Sequence, residues 1–151
     1  MIAIVERVHR AAVSADGEVV GKCGRGLMIA LGVDVDDTEE DARTLIDKIL
    51  KLRIFRDEAG KLNLSVRDVG GEILVISNFT LLANCYRGTR PDYSRAAPRA
   101  ISEPLYEYFI SEVNARGTHA EHGKFGARMS VDMEMDGPVI IPLDSHNLPR
   151  K

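Results

Sequence analysis

Three polar side chains, Ser77, Asn78 and Thr80, gather around Phe79 directly after the apolar run Ile73 to Ile76. A hydroxyl at the end of a strand is a common seat for a nucleophile, and two are available here. A serine or threonine hydroxyl needs a base to activate it. The histidines are His9, His119, His122 and His146, and none sits in a recognisable triad motif. No G-x-S-x-G elbow occurs either. His119 and His122 flank Glu121 in a polar stretch with no cysteine near, so they read as structural or surface groups, and no metal site is expected. Two readings of residues 77–80 remain. In one, the side chains bond their own backbone, as Ser, Asn and Thr often do. In the other, main-chain N–H groups stabilise a developing oxyanion, which requires no titratable side chain. A weaker third reading makes Ser77 or Thr80 the nucleophile of a small-ester hydrolase.

Residues 86–99 hold a second candidate function. Arg87, Arg90, Arg95 and Arg99 face only Asp92 in charge, and two tyrosines accompany them. The whole chain carries a formal charge of −3. A protein that grips a long nucleic acid is usually strongly basic, so any contact with RNA must be local.

The elements that position these residues follow from the pattern. The 151 residues are 44 % apolar, enough for one compact domain, here placed at 1–145 with a polar, disordered tail at 146–151. No apolar run is long enough to span a membrane. The first residues lack a basic start and meet charge at Glu6, unlike a signal peptide, so a cytoplasmic protein is expected. Cys23 and Cys85 form no C-x-x-C pair and read as two buried or half-buried free thiols.

Asp16-Gly17 between apolar stretches signals a hairpin. Leu27 to Leu31 reads as a central strand covered on both faces. Thr38 caps a helix whose first turn carries Glu39, Glu40 and Asp41 and whose stripe is Ala42, Leu45, Ile46, Ile49 and Leu50. Capping and solvation account for the acidic stretch 34–41 without a metal. Arg53 to Phe55 is expected as a short strand, and Glu72 to Ile76 as the strand that delivers the polar cluster. A second helix is expected over Glu103 to Arg116, with Ser102 as cap, Pro104 in the first turn and Gly117 as stop. Residues 129–135 alternate as a half-buried strand, interrupted at Gly137-Pro138 and resumed at Val139 to Ile141. Short strands, tight turns and two helices give an α+β domain with a mostly antiparallel sheet.

Five segments occur in order: MIAIVERVHRAAVSADGEVVGKCGRGLMIALGV, KILKLRIFRDEAGKLNLSV, ISNFTLLANCYRGTRPDYSRAA, GKFGARMSV and DGPVII. Together they resemble the D-aminoacyl-tRNA deacylases over almost the whole chain. The third is similar to the family's S-Q-F-T-L region and the last to its N-x-G-P-V-T motif. Asn78 stands at the family's Gln, Met135 at its Asn before x-G-P and Ile140 at its Thr after G-P-V.

The resemblance implies a barrel-like fold, a homodimer without metal or cofactor, and hydrolysis of the ester joining a D-amino acid, or glycine mischarged on tRNA(Ala), to tRNA. It places the site at the subunit interface. Ser77, Asn78 and Thr80 would line it, with the Phe79 N–H as oxyanion donor and the RNA's terminal 2′-hydroxyl assisting. Gly137 and Pro138, joined in cis, would enter the partner's pocket and exclude an L side chain. Phe125 and Met129 match further pocket positions, and Arg87, Arg90, Arg95 and Arg99 would meet tRNA phosphates. An aminoacyl ester is already activated, so placing it and polarising its carbonyl can suffice. The alternatives are a paralogue with altered chirality or substrate selectivity, and a non-catalytic aminoacyl-tRNA-binding module.

Overall fold

In the computed structural model, which describes residues 1–149, the long strand β1 (Ile2–Ala15) organises the sheet. A turn at Asp16 and Gly17, both at positive φ, joins it to β2 (Glu18–Cys23), as the hairpin signal indicates. β3 (Gly26–Gly32) pairs antiparallel with the first half of β1. Along the other edge of β1 runs the equally long β8 (Met129–Asp144), also antiparallel. β6 (Glu72–Ser77) pairs parallel with β3, and β7 (Ala120–His122) pairs parallel with β6. The sheet order is β2-β1-β3-β6-β7 with β8 on the far side of β1. Two parallel pairings therefore sit within an otherwise antiparallel α+β fold. The sheet curls until β2 meets β7. There a Cβ on Gly21 would lie 2.3 Å from the His122 carbonyl oxygen, so only glycine lets the backbones approach.

Curling explains why β3 and β6 read as unbroken apolar runs. Leu27, Ile29, Leu31, Ile73 and Val75 face the helices, while Met28, Leu74 and Ile76 join Val8, Val13 and Cys23 in a second cluster. Both faces exclude water, so alternation disappears.

Helix α1 (Glu39–Ile49) begins after Thr38 as its acidic first turn predicts. The Asp41 carboxylate accepts hydrogen bonds from Thr38 N–H (2.9 Å) and Thr38 Oγ1 (3.0 Å), and from Ser145 Oγ (3.0 Å). Burial opposes ionisation of Asp41, yet the bonds from Thr38 and Ser145 outweigh it and lower its pKa. Burial raises that of Asp37, against the hydrogen bond it accepts from the Met1 amino group. His146 Nε2 lies 3.2 Å from Asp37. Among the described residues, Asp37, Asp41 and His146 are the one grouping with metal-type ligands close together, and the Met1 amino group already supplies a cation there.

Helix α2 (Arg99–Ala115) starts three residues before Ser102. The Pro98 carbonyl accepts from Ile101 N–H, Ser102 N–H and Ser102 Oγ, so the serine bonds back to the first turn instead of capping it. Leu105, Tyr106, Phe109 and Val113 bury the inner stripe. A short hairpin, β4 (Phe55–Arg56) and β5 (Leu62–Leu64), lies apart from the main sheet, with its first strand two residues later than expected.

Two further expectations are corrected. Cys23 is buried and its pKa is pushed up to about 11 by that burial, but Cys85 is exposed on a loop. Ser145–Asn147 form a 3-10 turn, capped by Asp144, where a disordered tail was expected from His146. The part of that expectation on residues 150 and 151 lies outside the described residues. Among the described residues no helix is long and apolar enough to cross a membrane.

Candidate active site

β3 and β6 are parallel neighbours, so their C-terminal ends open on the same side, with Leu31 opposite Ser77. The crevice beyond parallel strand ends is a common ligand site. Here it is a pocket of about 390 Å³. Its floor and walls come from Leu31 and Val33, from Ser77, Asn78 and Phe79, from the first turns of α2, and from the loop at 125–127.

The 3-10 turn Phe79–Leu82 follows β6 immediately. Asn78 N–H donates to Leu31 O at 2.8 Å and ties the turn to β3. The Asn78 side-chain oxygen accepts from Thr80 N–H (3.2 Å) and from Thr80 Oγ1. This is the local side-chain-to-backbone bonding that such residues favour, and it accounts for why polar groups gather there. It leaves the Phe79 N–H, first in the turn, with no hydrogen-bond partner among the described residues. The Phe79 ring is 58 % exposed and meets Tyr93 edge-on at 5.0 Å between centroids.

Among the described residues the lining contains no carboxylate, imidazole or thiol. Its titratable members are Arg99 and Tyr106. Arg99 forms a forked pair with Glu103 (2.7 and 2.8 Å), which raises the arginine's pKa and lowers the glutamate's. The same guanidinium lies 5.7 Å from the centre of the Phe125 ring. Tyr106 donates its hydroxyl to Val75 O at 2.8 Å, and burial raises its pKa. The Tyr106 ring also packs against Phe125. No base stands ready for Ser77, and Thr80 lies outside the lining with its hydroxyl given to Asn78.

Of the sequence-derived candidates, the pocket brings together Ser77, Asn78, Phe79, Phe125 and Arg99. Met129 packs on the second apolar cluster instead. Gly137 and Pro138 are exposed on β8, outside this pocket, and are joined by a cis peptide bond. At Gly137 φ is +140°, and a Cβ would lie 2.7 Å from the Val139 nitrogen, so a side chain is not accommodated.

Arg7 holds this segment and was not anticipated. It is buried, donates Nε to Asp136 O at 3.1 Å, pairs with the Asp136 carboxylate and reaches the Ile54 carbonyl. Its signal was present: alternation along β1 assigns residue 7, with 3 and 5, to the buried side. Tyr106 and Ser102 were also unanticipated as lining residues. Arg87 and Arg90 are exposed without a carboxylate partner among the described residues, whereas Arg95 is paired with Asp34 and Asp36.

The family model described as D-Tyr-tRNA(Tyr) deacylase matches residues 4–144. A D-aminoacyl-tRNA deacylase of Thermotoga petrophila is 49 % identical over 148 residues, covering 98 % of this chain and 99 % of that one. One from Anaeromyxobacter dehalogenans is 50 % identical over 148 residues, with 98 % and 99 % covered. A solved structure named c-Myc DNA Unwinding Element Binding Protein superposes with a TM-score of 0.89 at 40 % identity, covering 95 % of this chain and 98 % of that one. Another, titled "Structural Analysis of a probable eukaryotic D-amino acid tRNA deacylase", shares the fold with a TM-score of 0.81 at 18 % identity over 95 % and 98 %. The chain therefore belongs to the D-Tyr-tRNA(Tyr) deacylase family and is an enzyme of the D-aminoacyl-tRNA deacylase kind.

Proposed function

We propose that the pocket receives the 3′ end of a tRNA charged with a D-amino acid, or with glycine on tRNA(Ala), and hydrolyses its ester. Water adds to the ester carbonyl. The bond to the ribose oxygen then breaks, and free amino acid and tRNA leave. The unpartnered Phe79 N–H at the pocket wall carries this reading. A preorganised main-chain donor stabilises the oxyanion as it forms. With no acid or base in the lining, proton transfer falls to the RNA's terminal 2′-hydroxyl and to water.

The protein acts in the cytoplasm as a homodimer in this reading. Gly137 and Pro138 of one subunit enter the other's pocket and block an L side chain, with Met129 nearby. Their exposure on β8, away from their own chain's pocket, supports the exchange. Arg87 and Arg90 supply phosphate contacts. Arg95 and Arg99 contribute less, because carboxylates already hold them.

Hydrolysis of D-tyrosyl-tRNA against L-tyrosyl-tRNA tests the activity, and Phe79→Pro tests the donor. Phe79 is first in the 3-10 turn, where its N–H has no partner to lose, and Asn78 is extended (φ −145°, ψ 90°), with ψ about 30° short of the range preferred before proline. Phe79→Pro should lower kcat by about 10²–10³, whereas Phe79→Ala, Ser77→Ala and Thr80→Ala should stay within about tenfold of the parent. Unchanged turnover in Phe79→Pro removes the donor assignment. Equal rates on the D and L esters remove the chiral one.

A second reading, nucleic-acid binding without turnover, draws on the DNA-binding name of the 40 % identical structural relative. It predicts tRNA retention with no ester release.

A further inference from the structure

A short hairpin projects beyond the pocket turn at residues 84–92. Its base is closed by two main-chain bonds, Asn84 N–H to Asp92 O (2.8 Å) and Asp92 N–H to Asn84 O (3.0 Å). Side chains brace it from within. Asn84 Oδ1 accepts Tyr86 N–H at 3.1 Å, and the Asp92 carboxylate accepts Ser94 N–H and Ser94 Oγ. Tyr93, just past the base, packs edge-on against Phe79 of the pocket. The stalk is thus fixed to the wall of the site.

The tip is different in kind. Tyr86 is 96 % exposed, and its side chain has no ring, cation or hydroxyl partner among the described residues. Arg87 and Arg90 beside it are exposed and lack any carboxylate partner among the described residues. A bare aromatic face followed along the chain by two unneutralised guanidinium groups, on a loop braced at its base, matches what single-stranded nucleic acid binds. Bases stack on the ring and phosphates meet the cations. Tyr86 is only four steps along the chain from Leu82 in the pocket turn, so the tip lies within about 14 Å of it.

We propose that the 84–92 hairpin is a second contact site, a stacking platform for an unpaired nucleotide of the substrate RNA near its 3′ end. Tyr86 supplies the ring, and Arg87 and Arg90 clamp the flanking phosphates. This rests on the deacylase reading, since the RNA end held in the pocket brings its neighbouring nucleotides to the loop. It also gives an acidic protein a local grip on a polyanion.

The test is binding of uncharged tRNA by fluorescence anisotropy, which does not depend on turnover. Tyr86→Ala should raise Kd about 5- to 150-fold, and Tyr86→Phe should bind within about twofold of the parent, because the ring face is what stacks. Arg87→Ala with Arg90→Ala should weaken binding and flatten the salt dependence, by a slope of about 0.7 per arginine. An acceptor helix lacking its unpaired 3′ nucleotides should not distinguish the parent from Tyr86→Ala. The proposal is overturned if Tyr86→Ala binds tRNA like the parent, or if Tyr86→Phe fails equally. It is also overturned if the substitution changes only the oligomeric state, which would make the tip a protein contact. Absence of hydrolysis in the parent, with the Tyr86 effect intact, removes the deacylase reading and leaves the platform standing.

Discussion

Arg7 occupies a strand position that alternation gives to the core, yet it carries a charge. Its donors go to the Ile54 and Asp136 carbonyls and to the Asp136 carboxylate. Removing them leaves the buried Ile54 carbonyl and the half-buried Asp136 without their partner, so Arg7→Met should cost about 3 kcal/mol in urea unfolding. Arg7→Lys should recover only part of that, because an ammonium cannot reproduce the guanidinium fork. The resemblance pointed to Ser77, Asn78, Phe79 and Phe125, since these lie in contiguous motifs. Arg7 escaped because its partners are far away in the chain and no local pattern names them. The phase of β1 was the available clue. The same separation hides Tyr106: helical spacing suggests Leu105, Tyr108, Phe109 and Val113 as the buried face, but the structure buries Tyr106, whose hydroxyl reaches Val75, and leaves Tyr108 half-buried.

Among the elements, α1 shows its cap openly. Thr38 and the acidic turn mark the start, and the structure adds Ser145 as a third donor to Asp41. The pKa of Asp41 is lowered in the folded protein, so its ionised form favours folding. That contribution is complete above the ordinary carboxylate value of 3.8 and is lost as pH falls through the lower folded-state value. Asp41→Asn should therefore cost about 1–2 kcal/mol at pH 7. Denaturant midpoints of the two proteins should converge as pH drops below that range, and a gap that persists in acid would contradict the assignment. The start of α2 was less legible, because Ser102 has the chemistry of a cap but uses it on Pro98. Parallel pairing of β3 with β6 leaves no trace in either segment alone. An apolar run says that both faces are covered, not which strand lies beside it.

At the scale of the whole molecule, β8 is the exposed edge. Among the described residues it pairs only with β1, and it presents Val131 and Ile140 to solvent at 43 % and 50 %. A long edge with apolar side chains invites a partner. If this edge forms the interface of the proposed homodimer, Ile140→Asp should weaken association by about 3 kcal/mol or more. Sedimentation should then show monomers, and D-ester hydrolysis should fall with them. A dimer that survives the change places the interface elsewhere. The acidic total charge did not point to RNA, since it averages over the whole surface and hides Arg87 and Arg90, which stand on one exposed loop without a carboxylate partner among the described residues.

The pocket described above holds neither imidazole nor carboxylate nor thiol, and its two ionisable neighbours are both shifted upward. Across neutrality its own walls keep one charge state. If the pocket works as proposed, a turnover rate that climbs with pH between 6 and 9 would record the ester, its amine and the hydroxide around it, with the protein as a fixed electrostatic mould against which that solution chemistry can be timed.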